Sequence, residues 1–396
     1  MQDVIVTGMG VLSPAGITLE DFWNTLYRGE AVYDELEQLR EKPEYRVKIG
    51  ATIKNADWER ALSKESTKQY GKAACYCMST VAQALEDAGL AKDLKGKRVS
   101  IIIGTTMGEI EVEEQITRLY CQKKEVAPSL YQKYPPGRIA EAVAEWLETD
   151  GEAMVIPAAC AAGNYAVDLG RKLLLWDLAD IVIAGGVDVF SYVAFAGFQR
   201  LLSLAPDRCR PFDKDRKGIV LGEGCGIVIL EKEGARYRQK KYGRILGSAA
   251  ASNAYHMTAP HKYGAGEFAA MNNALVDAGL KPSEIAYISA HGTGTRLNDE
   301  IEAKAINQLF GLHCPFVSSI KSLLGHSLGA ASVFELVASL LMIQKGIFLP
   351  NINYETRDEA CDLNIVSNKP IHGEIQFALS NSFAFGGQTS CLVLGK

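Results

Sequence analysis

The sequence predicts an α/β protein built from two similar strand–helix halves, and three observations carry that prediction. Short β-branched runs alternate with longer helical stretches along the whole chain. The order of motifs in the first half recurs in the second. The joint between them, residues 231–243, is rich in Lys, Arg and Glu, as a surface connection is. At 396 residues the chain has room for two or three units, or one large α/β body, with a core that needs no disulfide.

The elements follow in chain order. Met1-Gln-Asp-Val-Ile-Val carries an acid and no basic leader, so it reads as a strand and not as a signal peptide. The charged stretch 34–46 reads as a solvated insertion, and residues 80–90 as a helix. Residues 99–103, 153–156, 180–184 and 226–230 are apolar and β-branched, which predicts buried strands. Strands alternating with helices imply parallel sheets covered by helices. The repeat aligns 153–176 with 316–343, each a strand, a small-residue turn and a helix. It aligns 99–108 with 286–295, and 218–230 with 375–394, the last two each suited to a hairpin around glycine. A two-fold relation between the halves would bring the turn with Cys160 next to the turn with Lys321 and His326.

Composition narrows the function. Apolar residues make up 47% and charged residues 22%, ordinary for a globular protein. No apolar run reaches the ~18–20 residues of a membrane span. The nine cysteines are odd in number and scattered, without a CxxC pair, which argues against a disulfide framework and a zinc site. A reducing compartment, the cytoplasm, is the expectation. A formal charge of −5 excludes nucleic acid as an expected partner, and an acidic protein partner needs a local basic patch.

Four motifs bear chemistry. In Pro157-Ala-Ala-Cys160-Ala-Ala-Gly163 a strand ends and a helix begins. There the helix dipole and free N–H groups favour a thiolate, although a cysteine in such a turn is as often a packed core thiol. Ala290-His291-Gly-Thr-Gly-Thr295 follows a strand and lacks the lysine of a phosphate loop, so an imidazole in a close-approach turn is left. Lys321-Ser-Leu-Leu-Gly-His326 sets a lysine and a histidine in one turn, with Glu335 further along the helix where it can pair with Lys321. The plain alternative there is a helix-start lysine and a capping histidine. Asn381-Ser-Phe-Ala-Phe385-Gly-Gly is either a hairpin turn or a source of an oxyanion-binding N–H with an aromatic gate. A thiol, two imidazoles, a lysine and a glycine turn form a coherent set.

These motifs, in this order, resemble the elongating β-ketoacyl-[acyl-carrier-protein] synthases of the thiolase superfamily. The resemblance extends from Val6-Thr-Gly-Met-Gly-Val-Leu-Ser-Pro14 through Arg210-Pro-Phe-Asp-Lys-Asp-Arg216 to the closing glycine turn. It implies a thiolase-like five-layer αβαβα sandwich, with an N-terminal half at 1–240 and a C-terminal half at 241–396. It implies that Cys160 takes an acyl chain from acyl carrier protein, that malonyl-carrier protein then loses CO2, and that His291 and His326 stabilise the enolate. It implies an oxyanion site at the N–H groups of Cys160 and Phe385, with Phe385 as gate. Lys321 and Glu335 would tune the histidines, and Asp299 would support the loop. Thr258, Thr293 and Thr295 match positions that contact pantetheine, and Met107 one that lines the acyl pocket. Lys64, Lys68 and Arg200 fall where the family docks its carrier protein. No cofactor or metal is implied. A homodimer, or a heterodimer with a chain-length partner, is.

The chain departs from the common pattern at Ala158, Ala384, Asn298 and the short loop before Arg210, which leaves acyl length and saturation open between fatty-acid elongation and a polyketide or polyene pathway. A degradative thiolase would need a second cysteine in the closing turn, where Phe385-Gly-Gly-Gln stands. A non-catalytic chain-length subunit would lack the nucleophile.

Overall fold

Val-Ile-Val-Thr-Gly-Met-Gly-Val-Leu at the start of the chain forms β1 (Val4–Leu12), and the fold is centred on it. The computed structural model describes residues 3–90, 94–236 and 239–396. Among the described residues, four further strands of the same sheet lie in the first half: β2 (Val99–Gly104), β3 (Ala153–Ile156), β4 (Ile181–Asp188) and β5 (Gly224–Lys232). The second half contributes β6 (Gly243–Ser252), β7 (Tyr287–Ser289), β8 (Phe316–Ser318), β9 (Asn364–Ile365), β10 (Phe377–Phe383) and β11 (Gln388–Gly395). Together they make one eleven-stranded sheet in the order β9-β8-β7-β10-β11-β6-β1-β5-β4-β2-β3.

That order contains the repeat. Going outward from the β1–β6 pair, each half runs fifth, fourth, second and third strand, and β9 adds an edge to the second. Directions also repeat: β2 is parallel to β3 and β4, as β7 is to β8 and β10, and β5 and β11 are antiparallel to both neighbours. β1 and β6 pair antiparallel at Val4–Ile245, closing the two halves into a continuous ladder.

Helices cover the halves. The outer helices are α1 (Lys72–Asp87) and α2 (Arg138–Leu147) on the first half, α5 (Ala265–Ala278) and α6 (Arg296–Phe310) on the second. Between the halves lie α3 (Ala162–Leu175) and α7 (Ala331–Lys345), in contact with each other, and α4 (Tyr192–Arg200) follows β4. The result is the five-layer thiolase-like sandwich. Strand alternation divides apolar residues between layers: Val182, Ala184, Val228 and Leu230 face the central helices, while Ile181, Ile183, Ile227 and Ile229 face α1 and α2. Burial on both faces explains why these strands read as continuous apolar runs.

The helix expected at 80–90 begins eight residues earlier, at Lys72, and ends at Asp87, with Gly89 left-handed at φ 65°. Its first turn is fixed by Glu109, whose carboxylate accepts the N–H groups of Ala73 and Ala74 at 3.1 and 2.8 Å. Three expectations are corrected. Residues 218–230 form no hairpin, because β1 and β4 occupy both edges of β5; the preceding stretch bridges instead to Leu204 and His326. The charged stretch 34–46 is not wholly solvated, since Leu36 and Leu39 are buried against Phe190 and Phe195. The apolar helical run Leu328–Lys345 does reach 18 residues, but it is the core of the central layer, buried between the halves.

Candidate active site

The central layer sets the site. β3 leads into a turn whose Ala159 is left-handed at φ 46°, Cys160 follows, and α3 begins two residues later. In the second half Leu328 is likewise left-handed, at φ 51°, just ahead of α7. The two helix starts approach closely, because Gly163 has no side chain: a Cβ there would lie 2.4 Å from Val333 Cγ2. Asn164 N–H donates to Ser332 Oγ at 3.1 Å across that contact, and Ser382 Oγ of β10 donates to the Cys160 carbonyl at 2.9 Å.

This approach puts His326 Nε2 3.1 Å from Cys160 Sγ. The His291 ring lies 5.5 Å from the His326 ring, nearly perpendicular to it. Lys321, buried, donates to the His291 carbonyl at 2.6 Å, stands 3.3 Å from His291 Nδ1, and pairs with Glu335. A donor facing Nδ1 requires a lone pair there, so the ring proton of His291 sits on Nε2. Burial, and then the Lys321 charge, hold His291 and His326 well below the usual imidazole range. Both rings are therefore neutral at pH 7, the form needed for an N–H donor that leaves no fixed charge beside a carboxylate.

The thiol departs from expectation. Burial pushes Cys160 up to about 12, against the opposing charge of Lys321, so the helix start does not make a resting thiolate. The group is a thiol in contact with a neutral imidazole. Burial also pushes Glu335 up to about 7, opposed by Lys321.

Two buried carboxyls that the motifs did not reveal hold the loops. Glu302 on α6 accepts the N–H groups of His291 and Gly292, both at 2.8 Å. Asp188, at the end of β4, accepts Thr106, Met107 and Gly329 N–H groups at 2.9, 2.8 and 2.7 Å and the Thr105 hydroxyl at 2.9 Å, tying the first half to the start of α7. Asp299 accepts Phe212 and Gly294 N–H groups at 2.8 and 3.2 Å, bracing the loop after His291.

A cavity of about 260 Å³ connects Cys160, His291 and His326 with the surface. Thr258, Thr293, Thr295 and Phe385 line it, as does His256, which the sequence did not single out. The Thr293 and Thr295 hydroxyls are 2.9 Å apart. Phe385 is 39% exposed at the mouth, its ring 6.0 Å from that of Phe198 on the helix Tyr192–Arg200. Gly386 and Gly387, both at φ 84°, turn the chain beyond it, and Gly386 N–H donates to Met257 O at 2.7 Å. Arg200, at the end of that same helix, is exposed close to the cavity-lining Phe198 and Leu201. Lys64 and Lys68 are exposed on one face of the short helix Lys64–Gln69. Met107 does not line this cavity; it lies half-buried against the apolar cluster that contains Phe190 and Leu328.

Residues 1–235 match the family model for the beta-ketoacyl synthase N-terminal domain, and residues 242–355 that for the C-terminal domain. The chain belongs to the beta-ketoacyl synthase family. Among curated relatives of this synthase, 3-oxoacyl-[acyl-carrier-protein] synthase 2 of Synechocystis sp. is 35% identical over 99% of this chain and 98% of its own. The same-named protein of Staphylococcus aureus strain N315 is 34% identical with the same coverage. Among solved structures, the ishigamide ketosynthase/chain length factor superposes with a TM-score of 0.95 at 33% identity, covering 100% of this chain and 99% of the other. The ketosynthase in a complex of a type II PKS acyl-carrier protein with its hexaketide-bound ketosynthase superposes at 0.90, with 29% identity, 100% of this chain and 99% of the other covered.

Proposed function

We propose that this β-ketoacyl synthase condenses a Cys160-bound acyl chain with malonyl-[acyl-carrier-protein] in fatty-acid elongation, releasing CO2 and a β-ketoacyl-[acyl-carrier-protein]. The observation that carries the reading is the contact of a buried thiol with one neutral imidazole, 3.1 Å away, beside a second whose Nε2–H is fixed by Lys321. Cys160 Sγ attacks the acyl thioester, and its proton leaves with the carrier thiol. The malonyl thioester then enters. The electron pair of its carboxylate C–C bond passes to the thioester oxygen, which accepts hydrogen bonds from His291 and His326 as CO2 departs. The resulting carbon attacks the Cys160 thioester carbonyl, whose oxyanion lies at the N–H groups of Cys160 and Phe385; the oxyanion collapses, the C–S bond breaks, and Cys160 Sγ leaves as a thiolate that takes its proton from solvent water. Lys321 and Glu335 hold His291 in its donor tautomer, and Asp299 and Glu302 hold its loop.

We assign the nucleophile to a domain of residues 1–240, and the histidines, lysine and glycine turn to 241–396. Thr258, Thr293 and Thr295 contact the arm that bears the thioester, and Phe385 gates its entry. Met107 belongs to the wall that receives the acyl chain beyond Cys160. Lys64, Lys68 and Arg200 supply the local basic patch for an acidic carrier protein. β3 is the outer edge of the sheet, apolar and half-buried, and a second copy pairing there gives the homodimer. The nine cysteines, all free, suit a reducing cytoplasm.

The test is intact-mass spectrometry with acyl-carrier proteins. The wild type gains the acyl mass, Cys160→Ala does not, and acylation that persists in Cys160→Ala sinks the assignment. The likeness to ketosynthase/chain length factor pairs favours a second reading, the catalytic subunit of a type II polyketide synthase. Native mass spectrometry separates the two: a homodimer that elongates alone supports the first.

A further inference from the structure

Glu267 has no part in the chemistry above, yet it lines the cavity that leads to Cys160. It is the third residue of α5, where a glutamate ordinarily faces water beside the helix dipole. Here it is 2% exposed. Its Oε1 accepts Asn253 Nδ2–H at 2.8 Å, and Asn253 Oδ1 accepts Gly266 N–H at 3.1 Å. Its Oε2 is buried without a hydrogen-bond donor among the described residues. Burial raises its carboxyl, and Asn253, its own N–H and the charge of His261 oppose that rise. A buried carboxyl oxygen without a donor is costly, and a ligand that brings one recovers the loss.

We propose that Glu267 is a specificity residue of this cavity, whose Oε2 accepts a hydrogen bond from an N–H or O–H donor on the arm that carries the thioester to Cys160. The inference rests on the condensing reading in taking a thioester arm as the occupant. The surroundings suit such an arm. The cavity also presents the hydroxyls of Thr258, Thr293 and Thr295, while Met257, Pro260 and Leu297 give apolar wall for its methylene and methyl groups. Glu267 adds the one acidic side chain among the residues lining this cavity. It selects for an arm with donors over one with acceptors alone, and disfavours anionic groups at that depth.

The test compares Glu267→Ala and Glu267→Gln with wild type in the full chain, following CO2 release from two malonyl thioesters. Malonyl-pantetheine carries amide N–H and hydroxyl donors; the malonyl S-ethyl thioester carries none on its thiol side. Glu267→Ala is expected to raise KM for malonyl-pantetheine roughly tenfold or more, with kcat within about twofold, and to leave kcat/KM for the S-ethyl thioester unchanged. Glu267→Gln keeps the acceptor that faces Asn253 and puts an NH2 at the other position. It is expected to raise KM for malonyl-pantetheine in the same way, and it decides the question should the alanine variant not fold. Equal losses on both thioesters would mean that Glu267 only braces the Asn253 loop, and would overturn the proposal, as would an unchanged KM for malonyl-pantetheine. Wild type that decarboxylates neither thioester would sink the condensing reading and this inference with it, and that failure is visible before any substitution is made.

Discussion

Lys321 holds three acceptors at one nitrogen: Glu335, the His291 carbonyl and His291 Nδ1. Replacing it with methionine leaves the Glu335 carboxyl buried without its cation, so Lys321→Met is expected to lose about 3–5 kcal/mol in urea denaturation. It also frees His291 to exchange tautomers, and CO2 release from malonyl-carrier protein falls by roughly a hundredfold or more. Lys321→Met with Glu335→Leu should regain most of the stability and none of the activity. Recovery of CO2 release in the double variant would show that Lys321 acts only on folding. The sequence exposed Lys321 and His291 because each stands in a glycine-flanked turn after a strand, and Glu335 because it follows on the next helix within reach of Lys321. Glu302 was hidden: it lies eleven residues after His291, acts on backbone N–H groups, and looks like any helical glutamate. Glu267 was hidden for the same reason, its inward turn being set by Asn253 and not by its neighbours in sequence.

At the scale of elements, the start of α3 against the start of α7 is the joint on which the Cys160–His326 contact depends. Gly163 has an ordinary φ, so only space requires glycine there. Gly163→Val drives a side chain into Val333 and Ser332 and should cost about 1–3 kcal/mol in chemical denaturation. Because it wedges the helix starts apart, acylation of Cys160 should slow by more than the stability loss accounts for. An unchanged acylation rate in a destabilised Gly163→Val protein would uncouple the joint from the thiol. The alternation of strands and helices was legible, since apolar β-branched runs and amphipathic periods are local. The hairpin expected at 218–230 was not, because pairing partners are distant: β5 takes β4 and β1, and residue 224 meets Asp188. The second half forms its hairpin as read, since β10 and β11 are joined by only the short glycine turn. The thiolate expectation met burial, which depends on everything packed around the turn and pushes the thiol up against the opposing charge of Lys321.

The whole molecule carries carboxyls pushed upward by burial: Glu109, Glu302 and Glu335 to about 7, Asp188 to about 6. Such groups hold protons in the folded state that the unfolded chain releases near pH 4. Their contribution to stability is thus full below pH 4 and is lost as pH rises through 6–7. His291 and His326 run the other way: their contribution is present above 6.5 and is lost as pH falls through their lowered values. Glu109 lies outside the lining of the Cys160 cavity and isolates the first effect. Glu109→Gln should gain about 2 kcal/mol on wild type between pH 5 and pH 8, read as the change in their stability difference in urea. A difference independent of pH would show that Glu109 titrates normally. The position of β1 has a further consequence for a growing chain. Val4 pairs with Lys232 on one side and Ile245 on the other. β1 is therefore the middle of the finished sheet, yet neither neighbour exists until the chain has grown past residue 223. At about 5–20 residues per second it waits roughly ten to fifty seconds, apolar on both faces, which makes the nascent first half a natural client for chaperones.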